Sequence, residues 1–126
     1  MKINRIDHLV LTVTNIEKTV AFYTQNMGMD KVVFGEGRVA LAFGEQKINL
    51  HQSDNTFEPK AQNVMCGSAD LCFILESDIE DAMKRLTDNN VEIIDGPIER
   101  TGATGKITSI YFRDPDGNLI EISNYI

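Results

Sequence analysis

Cysteine is scarce in this chain of 126 residues: there are two, Cys66 and Cys72. They form no CxxC pair and have no zinc-type partners nearby, so a disulfide framework or structural zinc knot is excluded and both read as free thiols. Positive charge is also in short supply. Twelve Lys and Arg face nineteen Asp and Glu, for a net charge of −7 and a pI near 4.7. No Lys/Arg cluster breaks that balance, so the basic footprint of a nucleic-acid binder is missing, and attraction to anionic membranes goes with it. No apolar run is long enough to span a bilayer, and the N-terminus has no secretory apolar region, so a cytoplasmic location is expected. Histidine occurs only twice, at His8 and His51.

What remains is a 42% hydrophobic composition, ordinary for one soluble globular domain with its own core. The pattern along the chain is a duplication, each copy running strand, helix, then three strands. In the first copy residues 6–14 alternate as a strand. Asn15 supplies an N-cap with Glu17 in the first turn, and an apolar stripe through Val20, Tyr23 and Met27 ends at Gly28. Short strands follow at 32–34, 38–43 and 47–52. The second copy opens with a strand at 69–76. Ser77-Asp78-Ile79-Glu80 has the capping-box spacing, Ile79, Met83 and Leu86 make the helical stripe, and Asn89-Asn90 ends it. Strands are expected at 91–94, 107–112 and 119–123, with a type I turn at Asp114-Pro115-Asp116-Gly117. The second copy is the longer one, and its surplus falls in 95–106. The expected architecture is α+β: two βαβββ modules, 1–52 and 69–126 with linker 53–68, pairing into an eight-stranded, open, barrel-like mixed sheet with helices outside.

Both histidines lie at strand ends, and two acids occupy the corresponding ends in the second copy. His8 opens the first strand as Asp70 opens the fifth; His51 closes the fourth as Glu121 closes the eighth. Strand alternation puts His8 with Val10 and Thr12, Asp70 with Cys72, and Glu121 with Ser123, opposite the more apolar faces that must pack on helices. Two imidazoles and two carboxylates on one face suit Ni, Zn, Co, Mn or Fe as a divalent ion, not an all-oxygen calcium cage. Such an ion polarises a carbonyl, and a carboxylate that loosens from it can serve as general base at a neighbouring carbon. Taken singly, each of the four also reads as an ordinary structural residue.

Gly102-Ala103-Thr104-Gly105-Lys106 lacks the first glycine and the closing Ser/Thr of a phosphate loop and leads into a strand, so it is not a nucleotide site. Residues 99–106 could form a lid, with Arg100 or Lys106 meeting an anionic substrate, or a simple hairpin loop. Cys72 is expected in the pocket wall as a thiol without an activating base. Phe112 is expected to line the cavity.

Asp7-His8-Leu9-Val10-Leu11, Phe22-Tyr23 with Gly28, and 112–121 with its Asp-Pro-Asp-Gly-Asn-x-x-Glu core resemble the vicinal oxygen chelate superfamily of glyoxalase I, bleomycin-resistance proteins and extradiol dioxygenases. The resemblance covers nearly the whole chain and is nearest to small bacterial glyoxalase-like proteins. It implies a metal-dependent enzyme doing lyase or isomerase chemistry on a small substrate with vicinal oxygens, with His8, His51, Asp70 and Glu121 as ligands and Glu121 in proton transfer. It also implies a homodimer. The alternatives it carries are a non-haem Fe(II) dioxygenase and a metal-free binding or resistance protein. In the glutathione-using members an Arg stands four residues after the first ligand, where this chain has Thr12. Asn55, four beyond His51, matches the glutathione-contacting Asn.

Overall fold

A computed structural model describes all residues from Met1 to Ile126. The fold is α+β, and the chain divides into two compact units, Met1–Cys66 and Gly67–Ile126. The first contains β1 (His8–Val13), α1 (Ile16–Met27), β2 (Asp30–Phe34), β3 (Arg38–Phe43) and β4 (Gln46–Gln52). The second contains β5 (Asp70–Ile74), α2 (Ile79–Asp88), β6 (Asp95–Thr101), β7 (Lys106–Arg113) and β8 (Leu119–Tyr125). Each unit forms a four-stranded mixed sheet of the same topology, β1-β4-β3-β2 and β5-β8-β7-β6. The first and last strands of each unit are parallel neighbours, and the other pairings are antiparallel. Neither helix is long and apolar enough to cross a membrane.

In each unit one sheet face is aliphatic and packs with the helix. Leu11, Val13, Leu41, Ile48 and Leu50 are buried in the first unit with Tyr23 of α1. Ile110, Phe112, Ile120 and Ile122 are buried in the second with Leu86 of α2. α1 starts as the sequence indicates: the Asn15 side chain accepts from Lys18 N–H at 2.9 Å, and Gly28 ends the helix at φ +65°.

The start of α2 differs from the expected capping box. Its N-cap is Asp78, whose side chain makes no cap hydrogen bond. Instead Ile79 N–H donates to Asn124 Oδ1 of β8 at 2.8 Å, and Asn124 Nδ2 donates to the Ser77 carbonyl. The first unit does the same thing, with Ile16 N–H donating to Gln52 Oε1 of β4 at 3.0 Å. In both units the last strand satisfies the exposed first turn of the helix.

The third element of the second unit also departs from expectation. Residues 91–94 are not a strand; β6 begins at Asp95, and half of the interval read as a lid is strand. β6 and β7 pair up to Thr101–Lys106, so only Gly102–Gly105 turns. The pairing shifts register between Asp95 and Ile98, at Gly96-Pro97, where proline cannot donate to the ladder.

The turn between β7 and β8 forms as expected, with Gly117 N–H donating to the Asp114 carbonyl at 3.0 Å. Asp114 Oδ1 accepts from Asp116 N–H and Asn118 N–H, and Asp114 Oδ2 accepts from Asn118 Nδ2 at 2.8 Å. Fully buried Asn118 then uses its Oδ1 to accept from Ala69 N–H at 2.8 Å, immediately before β5. The motif that carried the resemblance is therefore a clamp tying the hairpin to the start of the neighbouring strand.

Two substitutions separate the clamp from the cap. Asn118→Ala leaves buried partners unpaired and is expected to cost about 3 kcal/mol, as removal of hydrogen bonds to a charged group does. Asn124→Ala removes one helix cap and is expected to cost about 1 kcal/mol. Urea titrations of both variants check the order.

Candidate functional site

Register decides which polar side chains can meet. In the second unit Asp70 lies opposite Leu119 and Cys72 lies opposite Glu121. Asp70 and Glu121 therefore share a sheet face two residues apart on adjacent strands, a diagonal of about 7 Å between backbones. On the other side of Glu121 stands Tyr111 of β7. Arg100 of β6 extends over this residue: its Nε donates to Tyr111 Oη at 3.1 Å, with the guanidinium 5.7 Å from the ring centroid. Glu121 is thus flanked by Cys72 and Tyr111, with Asp70 and Arg100 close by.

The electrostatics follow from that crowding. Burial raises the Tyr111 hydroxyl above its usual range; Arg100 opposes the shift and Glu121 adds to it. The hydrogen bond to Tyr111 pushes the Arg100 guanidinium further up. Burial also raises the Cys72 thiol, a hydrogen bond from Ser123 works against this, and the charge of Glu121 reinforces it. Cys72 Sγ lies 3.6 Å from Ser123 Oγ, which is 2.7 Å from Ser109 Oγ. This is a neutral thiol in a hydroxyl network, not a nucleophile.

The first unit places His8 opposite Lys47, while His51 stands opposite Thr12. The two imidazoles share a face but are four residues apart along the strands, about 13 Å at the rise of a β-strand. They cannot bind one ion. The repeat correspondence of His51 with Glu121 is likewise corrected by register. Asn49 faces Val10 as Glu121 faces Cys72, so Asn49 is the counterpart of Glu121 and His51 that of Ser123. Matching flanks were the available signal: Ile48-Asn49-Leu50 against Ile120-Glu121-Ile122.

His8 is braced by its neighbour in the chain. Its Nδ1 is 2.8 Å from Asp7 Oδ2, and this bond holds the Asp7 carboxyl below its usual range. Orienting one ring nitrogen on a carboxylate leaves Nε2 free as a donor, the common support of a metal-binding imidazole. Asp7 thereby orients the His8 ring.

Of the other expected site residues, Thr12 lies on the His8 face and is nearly buried, Asn55 is exposed in the turn after β4, and Phe112 is elsewhere. Phe112 is 0% exposed and pairs with Ile120, on the helix-facing side. Strand alternation gives its place on the working face to Tyr111. No three His, Cys, Asp or Glu side chains gather as a metal-holding group. The donors that fit a divalent ion by chemistry are Asp70 with Glu121 in one unit and Asp7-supported His8 in the other.

A family model, Glyoxalase/Bleomycin resistance protein/Dioxygenase superfamily, matches residues 5–122. The chain belongs to this superfamily. It is 56% identical over its whole length, and 88% of the other's, to virulence protein STM3117 of Salmonella typhimurium. The integron cassette protein VCH_CASS1, from the mobile metagenome of V. cholerae, has the same fold at a TM-score of 0.98 and 63% identity, covering 100% of this chain and 98% of that one. The metallothiol transferase FosB of Staphylococcus epidermidis is 31% identical over 121 residues, 95% of this chain and 83% of its own. This glyoxalase-superfamily chain therefore has relatives that include a metallothiol transferase.

Two measurements test the assigned environments. Cys72 is expected to react with iodoacetamide at pH 8 more slowly than a free cysteine, as followed by mass spectrometry. His51 has its pKa lowered from 6.5, first by burial and then by Arg38 and Lys60. The unfolded chain then binds the proton more readily, so stability is full above about pH 6.5 and falls as the pH drops below it. Urea unfolding between pH 8 and 5 should show that loss, reduced in His51→Gln.

Proposed function

We propose that this superfamily member is a divalent-metal-dependent enzyme that carries out lyase or isomerase chemistry on a small molecule with two adjacent oxygens. The observation that carries the proposal is the setting of Glu121, flanked by Cys72 and Tyr111 with Asp70 two residues along the same face. Asp70 and Glu121 are the donors for the ion in the second unit, and His8, its ring fixed by Asp7, is the donor that the first unit offers. When bound, the ion would polarise the substrate's two oxygens and acidify the C–H on the carbon next to the polarised carbonyl. Glu121 takes up and returns the proton at that carbon, which a carboxylate can do from hydrogen-bond reach. Tyr111 and Arg100 lie beside it to orient the substrate's oxygens, and Arg100 compensates negative charge. Cys72, as a neutral thiol, shapes the wall without entering the reaction.

Removing His51 from the donor set bears on the oxygenase alternative. One imidazole and two carboxylates are the reverse of the two-histidine, one-carboxylate triad of iron oxygenases. Isomerase or lyase chemistry is favoured accordingly. We place the enzyme in the cytoplasm as a homodimer, for which sedimentation equilibrium is the check.

The metal reading is tested on protein purified without added metal, by elemental analysis and by titration with Mn²⁺, Ni²⁺, Zn²⁺, Co²⁺ and Fe²⁺. One ion per chain is expected, lost or weakened about 100-fold in His8→Ala, Asp70→Asn and Glu121→Gln and weakened about 10-fold in Asp7→Asn, the loss typical of a supporting partner. His51→Ala is expected to retain the ion. Equal metal content in wild type and Glu121→Gln would end the reading.

A further inference from the structure

The first unit contains a second polar cluster that the metal reading does not use. Asn49 and His51 are adjacent on one face of β4, at 6% and 2% exposure. Asn49 Oδ1 and His51 Nε2 are buried without a hydrogen-bond partner. Two orphaned polar atoms side by side carry a desolvation cost that a ligand would offset.

Beside them stands a cation without a carboxylate. Arg38 opens β3, one step beyond the Val39–Leu50 pair and so next to His51. Its guanidinium lies 5.1 Å from the Phe34 ring centroid and 4.9 Å from that of Phe57. No acid forms an ion pair with it. Lys47 Nζ sits 3.8 Å from the centre of the same Phe34 ring. Phe57 in turn meets His51 edge to face, with centroids 5.4 Å apart. In a chain of net charge −7, this is a local concentration of positive charge, held by aromatic rings rather than neutralised. The arrangement is peculiar to the first unit, because the second has Ser109 and Ser123 at the places of Arg38 and His51, already bonded to each other.

We propose that Arg38, His51 and Asn49 form a binding site for a small hydroxycarboxylate. The Arg38 fork takes the carboxylate, as a guanidinium does best. His51, kept neutral by its surroundings, donates from Nε2 to a carboxylate oxygen. The ligand's hydroxyl donates to Asn49 Oδ1, the one acceptor in the cluster. Phe57 covers the outer side and must swing aside for entry. The site rests on the first unit alone and does not draw on the metal reading.

The test uses L-lactate as probe, with 2-methoxypropionate, acetate and chloride as controls, on the full chain as purified and carrying Glu121→Gln. Calorimetry and side-chain ¹H–¹⁵N spectra of arginine and histidine are the readouts. Lactate is expected to bind, shift the Arg38 and His51 resonances, and do so equally in Glu121→Gln. 2-Methoxypropionate, which has no hydroxyl to donate, should bind about tenfold more weakly, and Asn49→Ala should erase that difference; tenfold corresponds to about 1.4 kcal/mol. Arg38→Gln should weaken both about tenfold or more, and Arg38→Lys, with charge but no fork, should fall between. Circular dichroism confirms that each variant is folded. Lactate shifts no larger than those from chloride, binding unaffected by Arg38→Gln, or binding lost in Glu121→Gln would each overturn the proposal.

Discussion

The parallel pairing of the first and last strands within each unit governs everything else in this molecule. Parallel ladders fix register through evenly spaced, slanted hydrogen bonds, and here that register brings Glu121 opposite Cys72 and two residues from Asp70. A slip of one residue would turn Glu121 into the helix-facing side and bring Ile120 or Ile122 to the polar face. The buried aliphatic residues Ile110, Ile120 and Ile122 make that slip prohibitive. The hydrophobic core thereby specifies the chemistry on the opposite face.

The clamp from Asp114 through Asn118 to Ala69 reinforces the same pairing at its end. A buried carboxylate with several donors and a buried amide with two partners form a polar network that is fully used. Its position next to Asp70 means that fold stability and the spacing of the two acids depend on one set of bonds. A tight turn with proline and glycine at its corners is therefore both a structural and a functional constraint.

Much of this was legible in the residues. Alternation correctly indicated which side chains share a face, because a period of two requires no knowledge of partners. The duplication, the first helix and its cap, the turn at Asp114 and the α+β class were legible for the same local reasons. Register was not, since it depends on which residue of a distant strand lies opposite. That is why His51 was matched to Glu121 in place of Asn49, and Phe112 was preferred over Tyr111. The Ser77 capping box failed for a related reason: Asn124, distant in sequence, reaches the helix start first. The 95–106 surplus looked like a loop because glycine and proline interrupt it, whereas β7 draws it into the sheet through a break in register.

The helix caps donated by Gln52 and Asn124 bear on how the chain acquires its shape during synthesis. Each is carried by the strand that emerges last in its unit and inserts between two earlier ones. The start of α1 also has its local Asn15 cap, whereas that of α2 is not secured until β8 has arrived. The first half has all its strands once Gln52 has left the ribosome, whereas the second must wait for Asn124. Vectorial folding of two halves, each locked by its own final strand, follows from where those two amides lie.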